Sequence, residues 1–283
     1  MIEATSTLVA PGVRMAHVPG FAFGFPQGNN VYLIGEREPT LVDTGMPGPE
    51  GEAVLAALFA DAGIDGPRRL LVTHLHRDHV GSWPWLKERW GTELWVHPLE
   101  SGNAFASIEA SEADASLADG QVMNCDGVEL RVVFTPGHSP GHVVFELPRE
   151  RLLLTGDLIV GSGTSWVGPP GGSLVDYLAS LKRVRELDVG RLLPAHGPLV
   201  DDPVGKVDEY LEHRALRERQ VLECIESGRR TVPEMVASIY AGYPEGVHGI
   251  AALTVQGHLD KLAGEGRVEV DTGSADNRYS LRP

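Results

Sequence analysis

Residues 74–79 read His-Leu-His-Arg-Asp-His, four metal-capable side chains in six positions, directly after the apolar run Arg69-Leu-Leu-Val-Thr73. This segment constrains the fold strongly. The apolar run reads as a strand, and a tight turn at its end aims closely spaced imidazoles and a carboxylate into one pocket. Those are ligand types that zinc and similar borderline metals accept. Three further fragments repeat the pattern: Thr135-Pro-Gly-His138, Thr155-Gly-Asp157 and Pro194-Ala-His196-Gly197. Each sets a His or Asp just after a short apolar run, where a strand would end. Together they supply His74, His76, Asp78, His79, His138, Asp157 and His196. That set is too large for one tetrahedral ion, and it suits two ions about 3.5–4 Å apart that share a carboxylate.

The rest of the first 200 residues alternates short apolar runs with helical patterns. Strands are predicted over 30–35, 40–43, 69–73, 93–96, 128–135, 142–147, 152–155 and 191–193, from their Val, Leu and aromatic content and their Gly or Pro borders. Apolar residues at helical spacing predict helices over 50–62, 83–90 and 174–187. Two sheets covered by outer helices fit this mixture, an α/β class. The polar stretch 101–120 reads as a surface excursion.

The tail differs. A long charged helix over 204–227, two shorter helices over 232–241 and 250–263, and two strands over 267–270 and 278–281 follow the order of a winged helix. The division expected is a two-sheet α/β domain over 1–203 and a winged-helix-like domain over 204–283. The tail carries ten Lys/Arg against thirteen Asp/Glu, a net −3, and the whole chain is at −15. An acidic chain lacks the general phosphate attraction on which non-specific nucleic-acid binding rests. No run approaches the roughly 18–20 apolar residues of a membrane span. The first residues lack a basic segment followed by an apolar core, and Cys125 and Cys224 show no paired spacing. The expectation is therefore a cytoplasmic protein with reduced thiols and no membrane partner.

The intact His-x-His-x-Asp-His motif, with His138, Asp157 and His196 following in order, resembles the metallo-β-lactamase fold superfamily. The resemblance implies a four-layer αββα sandwich and a dinuclear site. It implies that His74, His76 and His138 hold one metal, that Asp78, His79 and His196 hold the other, and that Asp157 bridges them. It also suggests that Asp78 orients a metal-bridging hydroxide, and that Asp43 in Leu-Val-Asp-Thr-Gly supports the site from behind the ligands. Two Zn2+ per chain are expected from the ligand types, with iron or manganese as alternatives. The segments 156–164, His196-Gly-Pro-Leu, Tyr210-Leu-Glu-His-Arg214 and His258-Leu-Asp-Lys-Leu are similar to the β-lactamase-like protein 2 branch. Members of that branch add a small C-terminal winged helix to the hydrolase domain. The stretch 135–142 also looks like glyoxalase II, whose tail differs from this one.

Substrate contacts are less legible. Phe21, Phe23 and Phe25 in a Gly/Pro-rich segment, Trp166 soon after Asp157, and His142 four residues after His138 are the candidates. Phe23, His142 and Trp166 are put forward, with packing as the ordinary alternative for Phe23 and Trp166 and support of the ligands from behind as the other role for His142. The reaction expected is hydrolysis of a small thioester or ester. Single-stranded RNA is the alternative substrate, and a winged-helix nucleic-acid-binding regulator is the contrasting class. Closing the cleft or forming a homodimer are the roles left for the tail.

Overall fold

A computed structural model describes residues 6–20, 28–273 and 276–282. Phe21, Phe23 and Phe25 therefore lie outside the described residues. The first sheet runs in chain order: β1 (Thr7–Ala10), β2 (Val13–Val18), β3 (Asn29–Ile34), β4 (Thr40–Val42), β5 (Arg69–Leu71), β6 (Glu93–Val96) and β7 (Ala115–Ser116). β1 to β4 pair antiparallel, and β4 to β7 pair parallel. The second sheet has the order β12 (Arg191–Pro194), β11 (Leu152–Gly156), β10 (Val143–Leu147), β9 (Val128–Phe134) and β8 (Val122–Cys125), with only β11 and β12 parallel.

Side-chain alternation builds the layers. Tyr32, Ile34 and Leu71 point between the sheets, where they meet Leu130, Val132, Val143, Phe145 and Leu154. Val31, Leu33 and Leu70 point outward against α1 (Pro49–Ala62) and α3 (Trp83–Trp90), through Val54, Leu55, Leu58, Phe59 and Leu86. Val133, Val144 and Leu153 point to the opposite outer face, covered by α4 (Leu174–Arg185) with Leu174, Tyr177 and Leu181. Both faces of each sheet are thus buried, which explains why the central strands are near-continuous apolar runs instead of alternating ones. Each such fully buried side chain contributes about 1.5–3 kcal/mol. The result is the four-layer αββα sandwich.

The tail is α5 (Pro203–Glu226), α6 (Val232–Ile239), α7 (His248–Gly264) and the antiparallel pair β13 (Val268–Asp271) and β14 (Arg278–Leu281), a winged helix. α5 serves two cores. Val207 and Tyr210 pack under α4, whereas Val221, Cys224 and Ile225 join Val255, Leu259 and Tyr279 in the tail's own core. α6 starts on a capping box, with Thr231 accepting from the Glu234 amide and Glu234 reaching back to the Thr231 amide. Among the described residues no helix is long and apolar enough to cross a membrane.

The main elements fall within a few residues of their sequence expectation. β1, β2, β7 and β8 were not anticipated. The excursion 101–120 holds two short 3-10 turns and β7. Four of these elements matter for the site, because β5, β9, β11 and β12 all deliver their C-terminal ends to one edge of the sandwich. Two backbone hydrogen bonds join the sheets there: Val143 N donates to Thr73 O at 3.0 Å and Asn30 N to Ala195 O at 2.6 Å.

Candidate metal centre

His74 and His76 leave β5 in extended backbone, and the chain then turns into the short helix α2 (Arg77–Val80), started by His76 at φ −64° and ψ 151°. Extended spacing puts His74 and His76 side by side. The helical turn brings Asp78 and His79 back towards them, with His79 N donating to His76 O at 2.9 Å. His138 comes from the β9–β10 loop, Asp157 from the end of β11 and His196 from just past β12. Close backbone approach needs glycine here. Gly156, at φ 49°, lies so near Thr73 that a Cβ would stand 2.7 Å from the Thr73 Cβ.

All seven expected ligands converge. His74, His76 and His138 form one group of ligand atoms within 4.8 Å of one another, and Asp78, His79 and His196 form a second. A third group is His74, His79 and Asp157, which links the other two. His74 Nε2 stands 2.8 Å and His138 Nε2 3.1 Å from His76 Nδ1. Asp157 spans the groups: its Oδ1 is 3.3 Å from His196 Nε2 and 3.5 Å from His79 Nε2, while its Oδ2 is 3.5 Å from His138 Nε2.

The outer nitrogens decide the tautomers. His138 Nδ1 donates to the Trp166 carbonyl at 2.9 Å, and His196 Nδ1 donates to the Gly28 carbonyl at 2.9 Å. His79 Nδ1 donates to Asp43 Oδ2 at 2.8 Å. The Thr73 hydroxyl donates to Asp43 at 3.0 Å and accepts from His74 Nδ1 at 3.1 Å. With the outer nitrogens carrying hydrogen, the inner nitrogens of the neutral rings are lone pairs. Lone pairs then face carboxylate oxygens, acceptor against acceptor. His79 Nε2 and Asp157 Oδ1 are buried with no hydrogen-bond partner. A cation at the centre satisfies every one of these atoms, so the donor set fits metal.

Taken by themselves, with no cation between them, the clustered carboxylates draw protons onto His79 and His196 in its place. Burial pulls His79 down, but Asp78, Asp43 and Asp157 outweigh it and hold its imidazole well above the usual range. His196 is raised, again against burial, by Asp157 and Asp78. Burial favours neutral Asp157 and Asp78, yet His79 and His196 hold both carboxyls well below the ordinary carboxylate range. His74 is lowered by burial and its neighbouring rings, and His76 is lowered to about 3 by the same causes.

Asp43 lies where the sequence expectation put it, behind the ligands. It sits at φ 56°, a left-handed backbone that is costly for a non-glycine residue, and accepts from the Thr73 amide as well as from His79. Of the two roles expected for His142, the structure gives it support of a candidate ligand and not contact with substrate. It is fully buried, with Nδ1 on Thr135 Oγ1 at 3.0 Å and Nε2 accepting from the Asp157 amide at 3.2 Å. With both nitrogens engaged and no exposed surface, it braces Asp157 and has no face for substrate. Trp166 stays at the site: its ring stands 6.1 Å from the His138 ring and 5.5 Å from Phe105, which is 45% exposed.

Three residues have no signal in the sequence reading. Asn29 is buried and donates to Asp78 Oδ2 at 3.0 Å. Phe105 packs edge-on to His76 at 6.0 Å. Glu100 is 1% exposed and accepts from Leu75 N at 2.8 Å, Asn103 Nδ2 at 2.7 Å, Ser139 Oγ at 2.5 Å and Gly141 N at 2.8 Å. It therefore clamps the 74–79 turn to the loop that carries His138.

Residues 24–196 match the family model described as the metallo-beta-lactamase superfamily, and residues 231–276 match the beta-lactamase associated winged helix domain. A beta-lactamase-like protein 2 homolog from Drosophila melanogaster is 32% identical, covering 100% of this chain and 98% of its own. An atrochrysone carboxyl ACP thioesterase from Aspergillus fumigatus is 31% identical, covering 78% of this chain and 71% of its own. Among solved structures, a metallo-beta-lactamase family protein from Thermus thermophilus superposes with a TM-score of 0.82 at 25% identity, covering 97% of this chain and 100% of its own. A protein solved in a di-iron-bound form is 33% identical with a TM-score of 0.52, covering 65% of this chain and 93% of its own. On the family model and the full-length relative, the chain belongs to the metallo-beta-lactamase superfamily of metal-dependent hydrolases, in the group that carries a C-terminal winged helix.

Proposed function

We propose that the protein is a dinuclear hydrolase of small thioesters or esters. The observation that carries the dinuclear part is Asp157, whose two oxygens face different ligand groups. In this reading His74, His76 and His138 would hold one ion and Asp78, His79 and His196 the other, with Asp157 shared between the two groups. The imidazole and carboxylate set suits zinc, which we take as the metal, and the di-iron-bound neighbour marks iron as the alternative. Bound divalent ions supply Lewis acidity and lower the pKa of water. Asp78 is ionised and, with its side chain 14% exposed, stays partly open to solvent. It accepts a hydrogen bond from the attacking water and fixes its direction, while Asn29 holds its Oδ2. Asp43, Thr73 and the carbonyls of Gly28 and Trp166 keep the rings in one tautomer.

Two observations support a compact acyl substrate. Phe105 and Trp166 form an apolar wall beside His76 and His138. The chain's net charge of −15 opposes a polyanion. A relative named as an ACP thioesterase agrees with this class. The test is turnover of acyl thioesters, esters and single-stranded RNA by the metal-loaded protein. Thioester hydrolysis that chelation abolishes is expected, with RNA cleavage weak and steeply salt-sensitive. Efficient RNA cutting near 150 mM salt, roughly physiological, with no thioesterase activity, would replace this reading with a ribonuclease.

A further inference from the structure

A cavity of about 740 Å³ lies between the C-terminal helices and the 162–166 loop. Gly28, Ser165 and Trp166 line one side, and Arg214, Arg217 and Tyr240 line the other. The two arginines are 3% and 7% exposed, and a guanidinium keeps its charge when buried. Their partners are neutral. Arg214 donates to the Ser165 carbonyl and lies 5.3 Å over the Tyr177 ring. Arg217 donates to Gln220 Oε1 at 2.8 Å and lies 4.4 Å over the Tyr240 ring. The Nε of each is buried with no hydrogen-bond partner. Neither guanidinium forms an ion pair among the described residues. Glu209, which also lines the cavity, is held by Lys206 at 3.0 Å.

Burying an unpaired charge is costly, and the aromatic faces offset only part of that. Two buried guanidinium forks that line one cavity and carry uncompensated charge match a phosphate or carboxylate. The same wall also serves the metal centre. Trp166 and Gly28 give their carbonyls to His138 and His196, so a molecule seated in the cavity lies against the backbone that orients two ligands.

We infer that this interdomain cavity is an oxyanion site that holds the phosphate- or carboxylate-bearing arm of the substrate cleaved at the metal centre. The substrate-arm assignment rests on the proposed thioesterase reading; the oxyanion site does not.

The experiment compares S-acetylpantetheine with its phosphate ester on the metal-loaded full chain, alongside calorimetric titration with inorganic phosphate. The phosphate ester is expected to show a KM at least about tenfold lower, the scale of one charged hydrogen bond. Arg217→Met should bring the kcat/KM ratio of the two esters towards one and remove the heat of phosphate binding, whereas Arg217→Lys should keep part of both. Equal KM values, with phosphate binding unchanged in Arg217→Met, overturn the proposal, since the phosphate then sits on the metals. Equal KM values with Arg217-dependent phosphate binding overturn the substrate-arm assignment in favour of a free anion. Turnover of neither ester, with Arg217-dependent phosphate binding, supports the oxyanion site and sinks the thioesterase reading instead. Should Arg217→Met fail to fold, the partial loss expected in Arg217→Lys carries the same comparison.

Discussion

The metal centre and the interdomain cavity both bury polar atoms that lack partners, but of opposite kind. At the metal centre the unpaired atoms are acceptors, among them His79 Nε2 and Asp157 Oδ1. In the cavity they are donors, Arg214 Nε and Arg217 Nε. The sign of what is unsatisfied names the ligand: a cation for the first, an anion for the second. One loop joins the two regions, for the Ser165 carbonyl serves Arg214 and the Trp166 carbonyl serves His138. A chain that only needed stability would not leave both sets unpaired within one loop of each other, since each buried unmet group costs about 1–3 kcal/mol.

The largest test of the contrast is Asp157→Ala. Removing the shared carboxylate should lower turnover about a thousandfold or more while the protein stays folded. Bound metal should fall from two per chain to one or fewer, read by metal analysis alongside the assay. His97→Ala, which loses a stack on Phe134 and a cap on the Leu99 amide but touches none of the seven candidate ligands, should stay within about twofold. Similar losses in the two variants would mean the centre lies elsewhere.

Next in size is Glu100→Ala, which asks how much of the acceptor cluster's geometry depends on one clamp. It strands the buried amides of Leu75 and Gly141, so denaturant titration should show a loss of at least about 3 kcal/mol. A loss under about 1 kcal/mol would show that the two ligand loops hold together without it.

The smallest effect sharpens the donor side. His258 is 1% exposed, neither ring nitrogen has a partner, and burial followed by the Arg214 and Arg217 charges lowers it from 6.5 to about 3. A histidine depressed in the folded state takes up its proton more readily unfolded. Its neutral form is therefore compatible with the fold above pH 6.5, and stability is lost as pH falls from 6.5 towards 3. The slope from one proton is at most about 1.4 kcal/mol per pH unit. His258→Leu should flatten this acid limb, as melting curves across that range would report, and parallel curves for the two proteins would remove His258 from the account.

Legibility in the sequence followed the range of the interactions. The seven candidate ligands stood out because they sit in four short fragments, each opening within a few residues of the end of an apolar strand, a local signal. The clamp, the support and the rim were invisible for the opposite reason. Glu100, Asn29 and Phe105 act alone, from loops or strand ends far along the chain, with no spacing to mark them. Asp43 was found through resemblance, not through its left-handed backbone. For His142 the sequence left two roles open, since spacing alone does not say whether its nitrogens face substrate or, as here, Thr135 and the Asp157 amide. β1 and β2 escaped notice because β1 is only four residues long and Arg14 and His17 break the apolar run of β2. The tail's acidic net charge was legible, but two of its ten cations are buried together, and composition carries no information on where charges meet.

By itself the sequence determined the set of candidate metal ligands, the α/β alternation with its two buried sheets, and the helix–helix–helix–hairpin order of the tail. Those depend on periodicity and on residue types at strand ends, which are set within a few neighbours. Only the tertiary structure decided which nitrogen of each imidazole faces inward, which carboxylate oxygen faces which ligand group, and that α5 carries Arg214 and Arg217 onto the loop after Asp157. Tautomer, orientation and unpaired charge are properties of groups brought together from 30 to 170 positions apart, and only the packed sheets and helices bring them together.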